Sequence, residues 1–339
     1  MPENILDIFN NDAFSVTTML EPVNRMPTAP SFLGSLGIFT DDPVNTDTVA
    51  IGMQEGQLTL IRTTERGAPI EMQERNPRDV RSFRLPRLAK GDKLRASELQ
   101  GILPWPNETQ VDAVAGRVAD MQQRLKQDLE YTKEYHRLGA LQGVLLDADG
   151  SVIYDYFDEW DITQPADIDL NPLAATDGAL RESITDVKRT LIRAAQNGGA
   201  GIRRVIGLAG DDFWDALVRS PEVRATYLNW TAASDLRNAE PFETFRYGGI
   251  DWINYQGSDD NTEIAIPANK AIVFPTGIPG MFRHIMGPGE TFETVNRMGK
   301  DVYPLIVRDN DRNMWVQPEI YSYPLYLNSR PDLVLTVTV

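Results

Sequence analysis

The sequence predicts an α+β protein, on three observations: apolar residues spaced near 3.5 over nearly thirty positions, a second and shorter stretch of the same kind, and many β-branched stretches punctuated by turns. With 339 residues, 42% of them hydrophobic, the chain is long enough for one large or two ordinary domains with a proper core.

From 1 to about 48, Pro22, Pro27, Pro30 and Pro43 interrupt any regular element, with Phe9, Phe14, Phe32, Leu36 and Phe39 as apolar anchors, so an extended arm with a short helix or two is expected. Residues 48–64, TVAIGMQEGQLTLIRTT, have the β-branched content of a hairpin turning at Glu55-Gly56, and the second half of the basic stretch that follows is able to supply a partner strand. This makes 49–100 a long projecting loop. Next, Asn107 with Gln110 reads as a capping box, and Val111, Val114, Val118, Met121, Leu125, Leu129 and Leu138 mark one face of a helix over 107–138, about 48 Å at ~1.5 Å per residue. GVLLDADGSVIYDYF predicts a hairpin at Asp149-Gly150; Asp147 and Asp149 fit that turn better than a calcium loop, because the later oxygen ligands are missing. A second helix from about Asp177 to Gln196 buries Leu180, Ile184, Val187 and Leu191, and NGGAG ends it. After it, RRVIGLAGDDFWDALVRSPEVRATYL reads as strand, tight turn and helix, with Asp211 as cap. The remainder is strand-like, its tail alternating at Leu333, Leu335, Val337 and Val339, and the final strands are expected to return near the long helix.

The stretch RNPRDVRSFRLPRLAKGDK sets Arg75, Arg78, Arg81, Arg84, Arg87, Lys90 and Lys93 at a strict spacing of three. Neither a helix nor a strand gathers such a pattern on one side, so in an extended chain successive cations point to opposite faces. From 62 to 95 there are ten Lys or Arg against five Asp or Glu, and 23 against 44 in the rest of a chain whose net charge is -16. Basic arm and acidic body are complementary, which suits contact between copies; a solvated loop is the plainer alternative.

Several functions are disfavoured. No run approaches the ~18 apolar residues of a membrane helix, and MPENILDIFNNDAF lacks the features of a signal peptide. Zero cysteines remove disulfides, thiolate metal sites and cysteine nucleophiles. The two histidines, His136 and His284, cannot build a multi-histidine metal site and are expected to be surface or packing residues. A strongly acidic chain is a poor binder of nucleic-acid phosphates. No catalytic, cofactor or metal residue stands out: GLAG lacks the dinucleotide spacing, and the many carboxylates single out no pair, although a carboxylate-based hydrolase remains the rival reading and an adhesin module a weaker one. Lys90 or Lys93 at a loop tip would suit an isopeptide bond, but a loop lysine is ordinarily only a charge.

The order of GAPIEMQERNPRDVRSFRLPRLAKGD, LRASELQG, LDADGSVIYDYFDEW, FRYGGIDWINYQG, AIVFPTGIPGMF and YSYPLYLNSRPDLV resembles the major capsid protein E family of tailed phages, over nearly the whole chain. The resemblance implies the Hong Kong 97 capsid fold: an amino-terminal arm (1–48), an extended loop (49–100), a peripheral domain (101–160 and 316–339) with its spine helix at 107–138, and an axial domain (161–315) containing Tyr247, Gly248, Gly249 and FPTGIPG. It further implies a non-enzymatic virion protein, without cofactor, that self-assembles into hexamers and pentamers around double-stranded DNA. A portal, a scaffold and, in some members, a decoration protein would be its partners, with assembly in the host cytoplasm. Cross-linking is not implied. The absence of a long extension before the arm suggests a separate scaffold.

Overall fold

The computed structural model describes residues 32–53, 79–99, 110–173, 178–195, 201–228, 244–257, 264–312 and 314–339. The expected turn at Glu55-Gly56, Arg75, Arg78 and the Asn107 cap lie outside them. By its contacts the chain forms two compact units, one of Met1–Val49, Ser82–Arg137 and Arg283–Leu327, the other of Ala50–Arg81, Leu138–Phe282 and Asn328–Val339.

The first unit is built on the long helix, which runs Gln110–Gln142. Of its expected stripe, Val118, Met121, Leu125, Leu129 and Leu138 are buried, and the side chains of Val111 and Val114 lie outside the described residues. Leu125 and Leu129 pack with Val302, Ile320 and Leu88, and Val118 and Met121 with Leu94 and Ile306. Those partners lie on or beside a sheet in which strand Trp315–Ser322 pairs antiparallel with Tyr303–Arg308 on one side and with Leu88–Gly91 and Leu94–Arg95 on the other. The second half of the basic stretch is therefore a strand of this sheet and not the expected partner of Thr48–Met53; that partner is Asp79–Arg84, from the first half, because Leu88 and Leu94 pack their side chains against the long helix. A smaller sheet sets strand Thr40–Pro43 parallel to Phe282–Met286, with Pro324–Asn328 beyond. The short helix Phe32–Ser35 precedes it and buries Leu33.

The second unit centres on a six-stranded sheet, in the order Thr244–Tyr247, Ile250–Asn254, Arg204–Ala209, Lys270–Thr276, Leu335–Thr338, Ile168–Asp169. Helix Ala179–Ala194 buries the four residues expected of it, and they join Leu335 and Val337 in one core. Of the final strands, Trp315–Ser322 packs on the long helix through Ile320, as expected, whereas the last, Leu335–Thr338, departs from the expectation and pairs with Lys270–Thr276. Its alternating Leu335 and Val337 need a buried face, and the free side of Lys270–Thr276 provides one next to Leu180 and Ile184. The contact-based units also place 138–160 and 328–339 with this sheet and 283–315 with the long helix, a different division from the one the resemblance implies.

Local chemistry explains the turns. Gly248 and Gly249, with φ of 62° and 80°, make the two-residue link between Thr244–Tyr247 and Ile250–Asn254 that only residues tolerant of positive φ allow. Asp149 accepts from the Ser151 amide at 2.9 Å in the hairpin joining Val144–Leu146 to Val152–Asp155, so its carboxylate serves the turn. The start of helix Asp211–Arg219 differs from expectation: Gly210 is the cap, without a side-chain bond, and Asp211 sits in the first turn, where its charge complements the helix dipole. A Cβ at 210 would lie 2.5 Å from the Pro267 carbonyl oxygen, which is why the cap is glycine. Among the described residues no helix is long and apolar enough to cross a membrane.

Candidate assembly surface

The basic stretch begins in a two-stranded ribbon of Thr48–Met53 and Asp79–Arg84. Along its second strand Phe83 is fully buried while its neighbours Ser82 and Arg84 are exposed. Alternation of this kind puts Arg81 on the Phe83 side and Arg84 on the other, as the spacing of three requires. On the first strand Val49 and Ile51 are only half-buried, and Val80 opposite is 55% exposed.

Arg81, Arg87, Lys90 and Lys93 each make a side-chain contact within their own chain. Arg81 Nη2 lies 2.7 Å from Asp161 Oδ2, with that carboxylate 81% exposed. Arg87 Nε is 3.0 Å from Glu290 Oε1, and its guanidinium lies 5.1 Å from the centre of the Tyr321 ring. Lys90 Nζ reaches Asp128 Oδ2 on the long helix at 2.7 Å, and Lys93 Nζ sits 4.0 Å over the Trp315 ring. Arg84 is exposed and lines a groove with Asn45, Asp47, Arg87, Glu290 and Tyr323. Burial and the Glu290 carboxylate push the Tyr323 phenol up to about 12, so it stays neutral there. The structure thus gives the last cations a double use: they tie the strand Leu88–Gly91 to its own subunit and leave half of their surface accessible.

Sequence reasoning missed a second cluster, buried where the apolar stripe of the long helix gives way to charge. The Lys133 side chain is fully buried, with Nζ 2.6 Å from Asp301 Oδ1 and 3.2 Å from Glu130 Oε1. Arg137 is 3.2 Å from Glu134, whose other oxygen accepts the Leu33 amide at 2.6 Å. Burial works against the Asp301 carboxylate, but Lys133 outweighs it and holds the group below the usual range. His284 joins the same group: Nδ1 is 2.9 Å from Asp41, Nε2 is 3.7 Å from Asp301, and the ring stacks on Tyr326 at 4.5 Å. Burial pushes its pKa down. Next to it Arg283 bonds Asp42 diagonally across the same parallel pair, Thr40–Pro43 and Phe282–Met286, in which Asp41 stands directly opposite His284. Both histidines are packing residues, His136 being fully buried as well. Among the described residues no group of three or more His, Asp or Glu is arranged to hold a metal.

Residues 15–339 match the phage major capsid protein E family. The chain belongs to that family. Two curated major capsid proteins resemble this capsid protein along their lengths. One, from Salmonella phage Felix O1, is 23% identical over 96% of each chain; the other, from Pseudomonas phage KPP10, is 22% identical over 86% of this chain and 87% of its own. Among solved structures, the putative capsid protein of an E. coli CFT073 prophage superposes with a TM-score of 0.56 at 12% identity, covering 96% of this chain and 98% of that one. The mature capsid of bacteriophage PhiM1 gives 0.51 at 11% identity, covering 91% and 87%. The fold of this capsid protein is therefore the Hong Kong 97-like capsid fold.

Proposed function

We propose that this major capsid protein closes its shell by laying the ribbon Thr48–Met53/Asp79–Arg84 and the basic stretch beyond it across a neighbouring subunit. The observation that carries the reading is the ribbon itself. Two strands alone are marginally stable in water, and here Val49, Ile51 and Val80 have no full cover within the chain. A neighbour's acidic surface would cover them and meet the outward charges of Arg84, Arg87 and Lys90, and Arg75 and Arg78 would extend the same contact. In this reading the unit of the long helix is the peripheral domain and the six-stranded unit the axial domain. Repeated contacts build hexamers and pentamers of an icosahedral shell around the double-stranded DNA of a tailed phage, assembled in the host cytoplasm on a scaffold, joined to a portal and open to a decoration protein. The acidic composition, -16 overall, favours an inner wall that repels DNA phosphates.

A purely structural role fits the carboxylates that come together here: Glu130, Glu134 and Asp301 are each paired with Lys133 or Arg137 inside the subunit. The test is charge reversal of Arg81, Arg84 and Arg87 together. The internal pairs lost with them are exposed and worth about 0–1 kcal/mol each, so the subunit still folds. Purified variant should remain as subunits under conditions where the wild type forms capsomers and shells by electron microscopy; normal shells from the variant overturn the reading.

A further inference from the structure

The segment Gly287–Lys300, between strands Phe282–Met286 and Tyr303–Arg308, presents three apolar side chains to solvent: Phe292 is fully exposed, Met298 is 60% exposed and Val295 48%. It is a built loop. The Thr294 and Val295 amides both bond the Thr291 carbonyl at 2.9 Å, the Thr291 and Thr294 hydroxyls meet at 2.7 Å, and the Gly299 amide bonds the Val44 carbonyl at 2.8 Å. Tyr303 Oη accepts the Lys300 amide and donates to the Gly287 carbonyl, fastening the two ends together. Phe292, Val295 and Met298 thus stand exposed within one short loop whose backbone is held in place before any partner arrives.

Its rim is charged in both senses. Glu293, Arg297 and Lys300 are exposed, and among the described residues none of these side chains has an ion-pair contact. An apolar centre with an acid toward one end and two bases toward the other is complementary to itself. We propose that this loop is a contact between copies of the chain, packing against the same loop of a neighbour, with Phe292 at its centre and Glu293 of one copy facing Arg297 or Lys300 of the other. The inference rests on the assembly reading above and adds to it a second, apolar contact separate from the basic ribbon.

The natural chain has no cysteine, so a single introduced thiol can form a disulfide only between copies. Assembled particles of Phe292→Cys, oxidised and run without reductant, should give a band at twice the 38.0 kDa subunit mass, and particles of Val152→Cys, exposed on the hairpin at Asp149-Gly150, should not. Met298→Cys serves the same purpose if Phe292→Cys does not assemble. In parallel, Glu293→Arg should lower shell yield at least tenfold, and adding Arg297→Glu should restore it. Shells that form from Phe292→Asp at the wild-type yield, or cysteine particles that stay monomeric on the gel, overturn the proposal. If the charge exchange fails to restore yield, Phe292 faces a different surface or a separate protein and the like-to-like contact is wrong. If the wild-type chain forms no shells at all, the assembly reading falls, an outcome distinct from failure of the loop alone.

Discussion

Lys133 illustrates how much a single buried side chain holds. Its ammonium has no exposure and bridges a helix carboxylate, Glu130, to Asp301 on a distant loop. Removing it leaves Glu130 with only Arg137, at 3.7 Å, and takes the ammonium from Asp301; breaking a fully buried pair ordinarily costs about 3–5 kcal/mol, and the half-exposed Asp301 side chain puts this case toward the lower end. We expect Lys133→Ala to lower the thermal midpoint steeply in calorimetry, and an unchanged midpoint would show that the network contributes nothing. His284 predicts a pH effect with a definite sign. Its folded pKa lies below the ordinary 6.5, so the unfolded chain binds the proton more readily. Its contribution to stability is therefore complete above pH 6.5 and is lost as pH falls from there toward the folded value. Asp301 acts in the same direction lower down, complete above 3.8 and lost below it. Thermal melts across pH 5–8 should fall on the acid side, and His284→Phe, which keeps a ring against Tyr326, should flatten that part of the profile. None of this was legible in the sequence. The sequence shows Lys133, Glu134 and Arg137 only as charged positions between the apolar residues of the long helix, because only the tertiary fold brings Asp301, His284 and Leu33 against them.

Elements were far more legible than residues, since periodicity is a local property. The stripe Val118, Met121, Leu125, Leu129 and the stripe Leu180, Ile184, Val187, Leu191 are buried as their spacing demands. Strand partners are another matter. Leu335 and Val337 announce a half-buried strand, yet nothing in their own pattern says whether they pair near the long helix or with Lys270–Thr276, because register follows from a distant vacant edge. The basic stretch was legible as two-faced, but not as the edge strand Leu88–Gly91 held by Lys90 on Asp128. Gly143, which stops the long helix, joins the two kinds of information. Its φ of 89° is readable as a glycine preference, while the ring of Phe157, 2.4 Å from where a Cβ would stand, is not. Gly143→Ala therefore meets both backbone strain of about 1–2 kcal/mol and a clash. We expect it to destabilise the isolated subunit by more than 2 kcal/mol in urea titration, and a loss under 1 kcal/mol would mean that Phe157 moves freely aside.

For the whole molecule the deciding balance is between long-range repulsion and short-range contact. Copies carrying -16 each repel through solvent, whereas the contacts proposed for the ribbon and the loop Gly287–Lys300 are made at ångström range and partly out of water. Salt acts on these unequally: the screening length falls from about 30 Å at 0.01 M to about 8 Å at 0.15 M, which removes most of the repulsion between bodies but little of the attraction at contact. Hydrogen exchange and sedimentation read the two sides separately. The amides of Thr48–Met53 and Asp79–Arg84 should exchange quickly in free subunits, where the ribbon stands uncovered, and become protected in shells. The protein concentration needed for shells should be lower at 0.15 M salt than at 0.01 M, because the body charge is the term that salt weakens most. The opposite trend would mean that attraction between basic ribbon and acidic neighbour acts over long distances and outweighs the repulsion. In that case Arg84→Glu alone should abolish the salt dependence, since Arg84 points away from the buried Phe83 and toward whatever approaches the ribbon from outside.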